Sequence, residues 1–276
     1  MKKYKLCAFA DEAGALLSEQ IDALKGNNIP CIELRNVDHV NVSDITVDTA
    51  KEIRKKLDAA GIAVWALGSP IGKIGIDDPF EPHLDTFKRL LEVGAVLDAK
   101  ALRMFSFYLP KGSDFDTYKD SVLEKLAKLC EAAKGSGITL CHENEKGIFG
   151  DTASRCRLLL DNLPELKAVF DPANFIQTEQ DTLEAWALLH HRVEYLHIKD
   201  AFKGGDVVPA GMGIGNLAEI LSKFTGEVLS IEPHLDVFDG LSALEQEGEK
   251  SVVGTFRYSS NREAFDAAAA ALRVLL

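Results

Sequence analysis

The sequence predicts one α/β domain, a (βα)8 barrel spanning residues 1–276, and three observations predict it. Eight short apolar runs recur along the chain, separated by amphipathic or charged stretches with helical periodicity. The runs lack strict alternation, as in ITLC at 138–141 and AVF at 168–170, which suits parallel strands covered on the outside by helices. The length agrees as well, because one such barrel takes roughly 250 residues. No linker, low-complexity tract or compositional break marks a second domain.

In chain order, the runs place strands at 6–10, 31–35, 63–68, 101–107, 138–143, 168–171, 195–199 and 228–232. Between the second and third lies SDITVDTAKEIRKKLDAAG, a helix whose first turn Ser43 would cap and whose last turn Gly61 would end. A Gly-Ile pair precedes a strand twice, at Gly61-Ile62 and Gly137-Ile138, predicting a repeated left-handed turn. Two connections are long. One is SPIGKIGIDDPFEPH after strand three; the other runs from 235 to about 261 after strand eight, with Asp236, Asp239, Glu245, Glu247, Glu249 and Lys250 in it. The second reads either as a lid, with VVGTFRY folding over the mouth, or as a passive or oligomer-contact excursion. The final helix is REAFDAAAAALRVLL, with an Ala/Leu face for the barrel.

Composition narrows the function. A net charge of −12 disfavours a non-specific grip on nucleic acid, though not a local anion pocket. Cys7, Cys31, Cys130, Cys141 and Cys156 form no C-x-x-C pair and read as reduced, buried thiols. The N-terminal apolar run is too short for a signal peptide, and no stretch approaches the ~20 residues of a membrane span. These points predict a cytoplasmic protein with no membrane or nucleic-acid partner; a homo-oligomer stays open.

Four residues stand at the far ends of apolar runs: Glu143, Asp171, His197 and Glu232, spaced 28, 26 and 35 apart, about one βαβ unit each. In a parallel barrel all strands end on one face, so these side chains converge there. Three carboxylates and an imidazole suit one divalent ion, Mn²⁺, Mg²⁺, Co²⁺ or Zn²⁺, and a cysteine-free set is catalytic rather than structural in composition. Three of them have a plainer reading: Glu143 paired with Lys146, Asp171 capping a helix at Pro172, His197 as a core histidine. Glu145 rivals Glu143 but falls in the following loop. Asn144, Asn174, Lys199, Asp200 and His234 are candidates to orient ligands or hold substrate hydroxyls. Glu33, Arg35 and Arg103 bring charge to the expected mouth, for substrate or for one another. His190 and His191 read as helix-end surface residues. Gly211, Gly213 and Gly215 precede a helix near Asn216, where free backbone N–H groups would receive an anion.

The segments CHENEKGIFGD, FDPANF, YLHIKDA, VPAGMGIGN and IEPHL, with FADEAG, IELR and RMFSF before them, closely resemble the sugar phosphate isomerase/epimerase group of the xylose-isomerase-like TIM barrels. The resemblance implies a metal held by Glu143, Asp171, His197 and Glu232, with Glu143 and Glu232 as the catalytic pair. One carboxylate would take a proton from a carbohydrate, phosphorylated or not, and the other return it through a metal-stabilised enediolate. A sugar-acid or inosose dehydratase needs nearly the same opening step and is the alternative. An apurinic-endonuclease type would need further histidines, yet Asn174 stands in D-P-A-N and no histidine occurs between His197 and His234. A non-catalytic sugar- or metal-binding barrel has no need of two flanking carboxylates.

Overall fold

The computed structural model describes residues 4–238 and 256–276. Eight parallel strands close into a barrel: β1 (Lys5–Ala8), β2 (Cys31–Leu34), β3 (Ala63–Gly68), β4 (Ala101–Met104), β5 (Thr139–Glu143), β6 (Lys167–Phe170), β7 (Val193–Ile198) and β8 (Val228–Ile231). Each lies within a predicted run or shifted from it by one to three residues. The ring shuts where β1 pairs with β8, Cys7 opposite Ser230 and Ala8 opposite Ile231.

Helices α1 (Leu17–Gly26), α2 (Val47–Ala60), α3 (Phe80–Leu97), α4 (Phe115–Ala133), α5 (Ala153–Asn162), α6 (Pro172–Gln177), α7 (Thr182–Leu189), α8 (Leu217–Lys223) and α9 (Asn261–Leu275) surround the barrel. The cap of α2 differs from expectation. Thr46, not Ser43, accepts from the Thr49 N–H at 3.1 Å, while Ser43 binds the Asn41 side chain in the preceding turn. The chain turns from Asn41 to Asp44 and then buries Ile45 before the helix starts. Gly61 ends α2 as expected, at φ +71°, with Ile62 N–H reaching Leu57 O. A side chain there would pay the left-handed strain that glycine avoids. Gly137 repeats the positive φ before β5.

Successive side chains on a strand face opposite sides. The outward set, including Leu6, Ile32, Leu102, Leu140, Leu196 and Leu229, packs with the helices in the main core. The inward set is stratified. Low in the barrel it is a separate cluster of small residues, Cys7, Cys31, Ala66, Ala101, Cys141, Val169 and Val228, filled by Tyr195. One step higher, on the same inward face, the residues become Glu33, Arg103, Glu143, Asp171, His197 and Ser230. All five cysteines are free and buried.

The long connection after β3 is tied down. Phe105, Phe107 and Tyr108 donate backbone N–H groups to Ile71, Gly72 and Ile74, and Ile76 donates back to Tyr108 O. Residues 239–255, the middle of the connection after β8 with its candidate lid, lie outside the described residues. None of the helices among the described residues is long and apolar enough to cross a membrane.

Candidate functional site

Glu143, Asp171, His197 and Glu232 each present a ligand atom within 4.8 Å of the others, and all are buried. Glu143 is the last residue of β5, and His197 lies near the end of β7. Asp171 and Glu232 directly follow β6 and β8. The imidazole Nδ1 is the focus: Glu143 Oε1 lies 2.8 Å away, Glu232 Oε2 3.4 Å and Asp171 Oδ2 3.9 Å. Its other nitrogen, Nε2, faces Glu33 Oε2 at 3.2 Å. A ligating histidine characteristically donates its far N–H to a carboxylate, which fixes the tautomer and leaves the near nitrogen for a metal. Glu33 is placed for that task. It also accepts from the Tyr195 and Ser230 hydroxyls, each at 2.6 Å, and it does not line the cavity above.

Cations partner the carboxylates. Arg103 donates to Glu143 Oε2 at 2.6 Å, and Lys199 Nζ to Glu232 Oε2 at 2.9 Å. Arg35 is almost fully buried between Asp11, Glu12 and Glu232, with contacts of 2.8, 3.0 and 3.1 Å. Both arginines are therefore in ion pairs; Arg103 also reaches the cavity, whereas Arg35 does not line it. Asn174 donates to Asn144 O at 2.9 Å and to Glu143 Oε1 at 3.3 Å, and Asn144 exchanges two hydrogen bonds with the backbone of Asp171. Asp171 does cap α6, through Oδ1 to the Asn174 N–H, which bears out the plainer reading of it and leaves Oδ2 among the other candidate ligand atoms. Its Oδ2 is ion-paired with the Lys199 ammonium at 2.8 Å, in a geometry outside an ordinary hydrogen bond.

The charge balance follows. Burial would raise the Glu143 carboxyl, but the His197 and Arg103 cations outweigh it and hold it at about 2. Glu232 is likewise held well below the usual range, burial being overcome by Lys199 and His234. His197 is pushed well above 6.5, since burial is overcome by Glu143 and Glu33. Asp171 goes the other way, up to about 7, through burial and the Glu232 and Glu143 charges. A carboxylate left undercompensated despite Lys199, beside an imidazole nitrogen and two more carboxylates, fits a divalent cation.

The cavity is small, about 60 Å³, and is lined by Lys73, Arg103, Glu143, Glu145, Asn174, Gln177, Lys199, Val207, Glu232 and His234. Lys73 and Gln177 were not anticipated, and nothing in their sequence context marks them. Lys73 meets Glu145 at 2.8 Å, joining the loops after β3 and β5 over the cavity. Glu145 is thus in the loop, as expected. His234 lies at the edge, its Nδ1 3.3 Å from Glu12. Asp11 and Glu12 follow β1 as the metal candidates follow their strands, so the same signal could have found them.

One expectation is overturned. The N–H groups of Gly211, Gly213 and Gly215 do converge, but on Asp200, at 2.9, 3.0 and 2.8 Å. The chain supplies its own anion there, and Asp200 is structural rather than a substrate contact. His190 and His191 lie in a short 3-10 turn after α7, at the surface.

The family model for the xylose isomerase-like TIM barrel matches residues 21–248. No curated protein matches in sequence. Among solved structures, similarity extends over nearly the whole length. The IolI protein with a bound zinc atom gives a TM-score of 0.75 at 16% identity, covering 98% of this chain and 97% of its own. The probable 3-DHS dehydratase AsbF of Bacillus anthracis gives 0.74 at 16%, covering 98% of each. D-psicose 3-epimerase in the presence of D-fructose gives 0.74 at 15%, covering 98% and 97%.

Proposed function

The chain belongs to the xylose isomerase-like TIM barrel family, and on that premise we propose that it is a divalent-metal-dependent isomerase or epimerase of a small carbohydrate. The observation that carries the proposal is the convergence of Glu143, Asp171, His197 and Glu232 at the strand ends, under a polar cavity. These four would hold the ion, with Glu33 orienting His197. When bound, a divalent ion supplies a Lewis acid that stabilises charge developing on a sugar oxygen.

The protein's own groups supply the rest. Glu143 and Glu232 both line the cavity. One takes a proton from the carbon beside the carbonyl and the other returns one, giving isomerisation or epimerisation. Their positions are held by Arg103 on Glu143 and by Arg35 and Lys199 on Glu232. Asn174, Lys199 and His234 are placed to meet substrate hydroxyls.

The test is proton exchange. Metal-loaded protein is incubated in D₂O with ketoses, inositol ketones and their phosphates, and NMR follows the carbon-bound proton. Deuterium should enter beside the carbonyl of a true substrate. Glu143→Gln and Glu232→Gln should each lower turnover by roughly 10²–10⁴-fold, and His197→Ala should lose metal by elemental analysis. Turnover surviving both glutamine variants would sink the assignment. A product lacking one water would identify a dehydratase instead.

A further inference from the structure

Beside the cavity lies a second, larger groove, and the two share Gln177. The groove has a volume of about 780 Å³ and is bounded by Ile176, Glu179, Gln180, Lys203, Gly204 and Ile214 among others. The same two elements flank both spaces. On one side, the α6 segment carries Asp171 at its N-cap, Asn174 three residues on and Gln177 three further. Residues three apart share a helix face, so polar groups step outward from the metal candidates into the groove. On the other side, the hairpin of Asp200–Ala201 with Val207–Val208 gives Val207 to the cavity, and its turn gives Lys203 and Gly204 to the groove. Gln177 Nε2 donates to Gly205 O at 3.3 Å, so its carboxamide forms a sill between the two spaces.

The lining selects the occupant. The lining carries two carboxylates, Glu179 and the α7-capping Asp181, against one cation, Lys203, which disfavours a phosphate by simple charge. The glycine N–H groups that would bind an anion nearby are taken by Asp200. Amides and carboxylates suit hydroxyl groups, which both donate and accept. Ile214, 50% exposed, offers an aliphatic surface for the C–H face of a ring.

We propose that the groove is a second carbohydrate subsite, which takes the neutral glycosyl unit of a substrate whose reacting ketose fills the cavity. This rests on the reading of the cavity as a sugar site, and adds that the preferred substrate is a glycoside rather than a free or phosphorylated monosaccharide.

Calorimetric titration of the metal-loaded protein compares D-fructose, 6-O-glucosyl-fructose and fructose 6-phosphate. The glucosylated ketose should bind roughly tenfold more tightly than D-fructose, and Ile214→Asp or Lys203→Glu should pull that ratio toward one. Saturation-transfer NMR gives an independent readout: glucosyl protons should be saturated by the wild type and much less by Ile214→Asp. Equal affinities without saturation of the glucosyl ring overturn the subsite, as does tightest binding of the phosphate ester. Glucosyl saturation without any deuterium exchange would leave the subsite standing and remove the isomerase reading. Exchange on D-fructose without glucosyl contact would do the reverse.

Discussion

The two sides of the barrel wall treat one type of side chain in opposite ways. His142 and His197 are both buried, at 1% and 0% exposure. His142 faces away from the barrel interior toward the Ser106 hydroxyl at 3.0 Å, and burial pushes it down to about 4. His197 faces inward, where burial acts in the same direction, yet Glu143 and Glu33 reverse it. Outside the wall, packing and desolvation decide the state of a group; inside its upper half, compensation among charges decides. The inner layer is therefore the more expensive one to disturb singly, because each charge removed strands its partners.

Arg35→Met gives the largest expected break. It leaves Asp11, Glu12 and Glu232 without their guanidinium, and should cost about 3–5 kcal/mol in urea unfolding. A variant as stable as wild type would show that the inner charges are solvated rather than mutually compensated.

Next in size is a pH effect from the outer side. The folded pKa of His142 lies near 4, below its ordinary 6.5. Its contribution is thus present above pH 6.5 and is lost as pH falls toward 4. The full loss is about 3 kcal/mol. Urea midpoints at pH 7 and 4.5 should converge in His142→Gln more than in wild type. Parallel losses in the two proteins would assign the acid sensitivity to other groups.

The smallest lies farthest from the site. Thr46→Ala removes the α2 cap and should cost about 1 kcal/mol, leaving metal content unaltered. Ser43→Ala should cost less; the opposite order would restore Ser43 as the cap.

These contrasts also explain what the sequence disclosed. Strand ends were legible because an apolar run followed by Glu, Asp or His is a local signal, and the barrel brings all such ends to one face. Depth was not. Glu33 stands two residues before Arg35 on the same inward face, and that single step puts it beneath His197 rather than at the mouth. Asp200 was misassigned because its partners come from 11 to 15 residues away, through a loop geometry that no periodicity encodes. Ser43 was read as the cap, but it is tied into the turn with the Asn41 side chain, which leaves Thr46 to cap α2. Lys73 and Gln177 reach the cavity by tertiary placement alone.

The seam between β1 and β8 has a consequence in time. Arg35 and Glu232, 197 positions apart, meet only after nearly the whole chain has emerged. Until then Arg35, Asp11 and Glu12 belong to a sheet with open edges, and Glu232 is absent. Such distant pairings form slowly, because loop closure precedes any gain from contact. Synthesis that stalls before residue 228 would yield a fragment with an unfinished edge and an incomplete set of candidate ligands, the kind of species that aggregates. Maturation of the site and closure of the ring are one event.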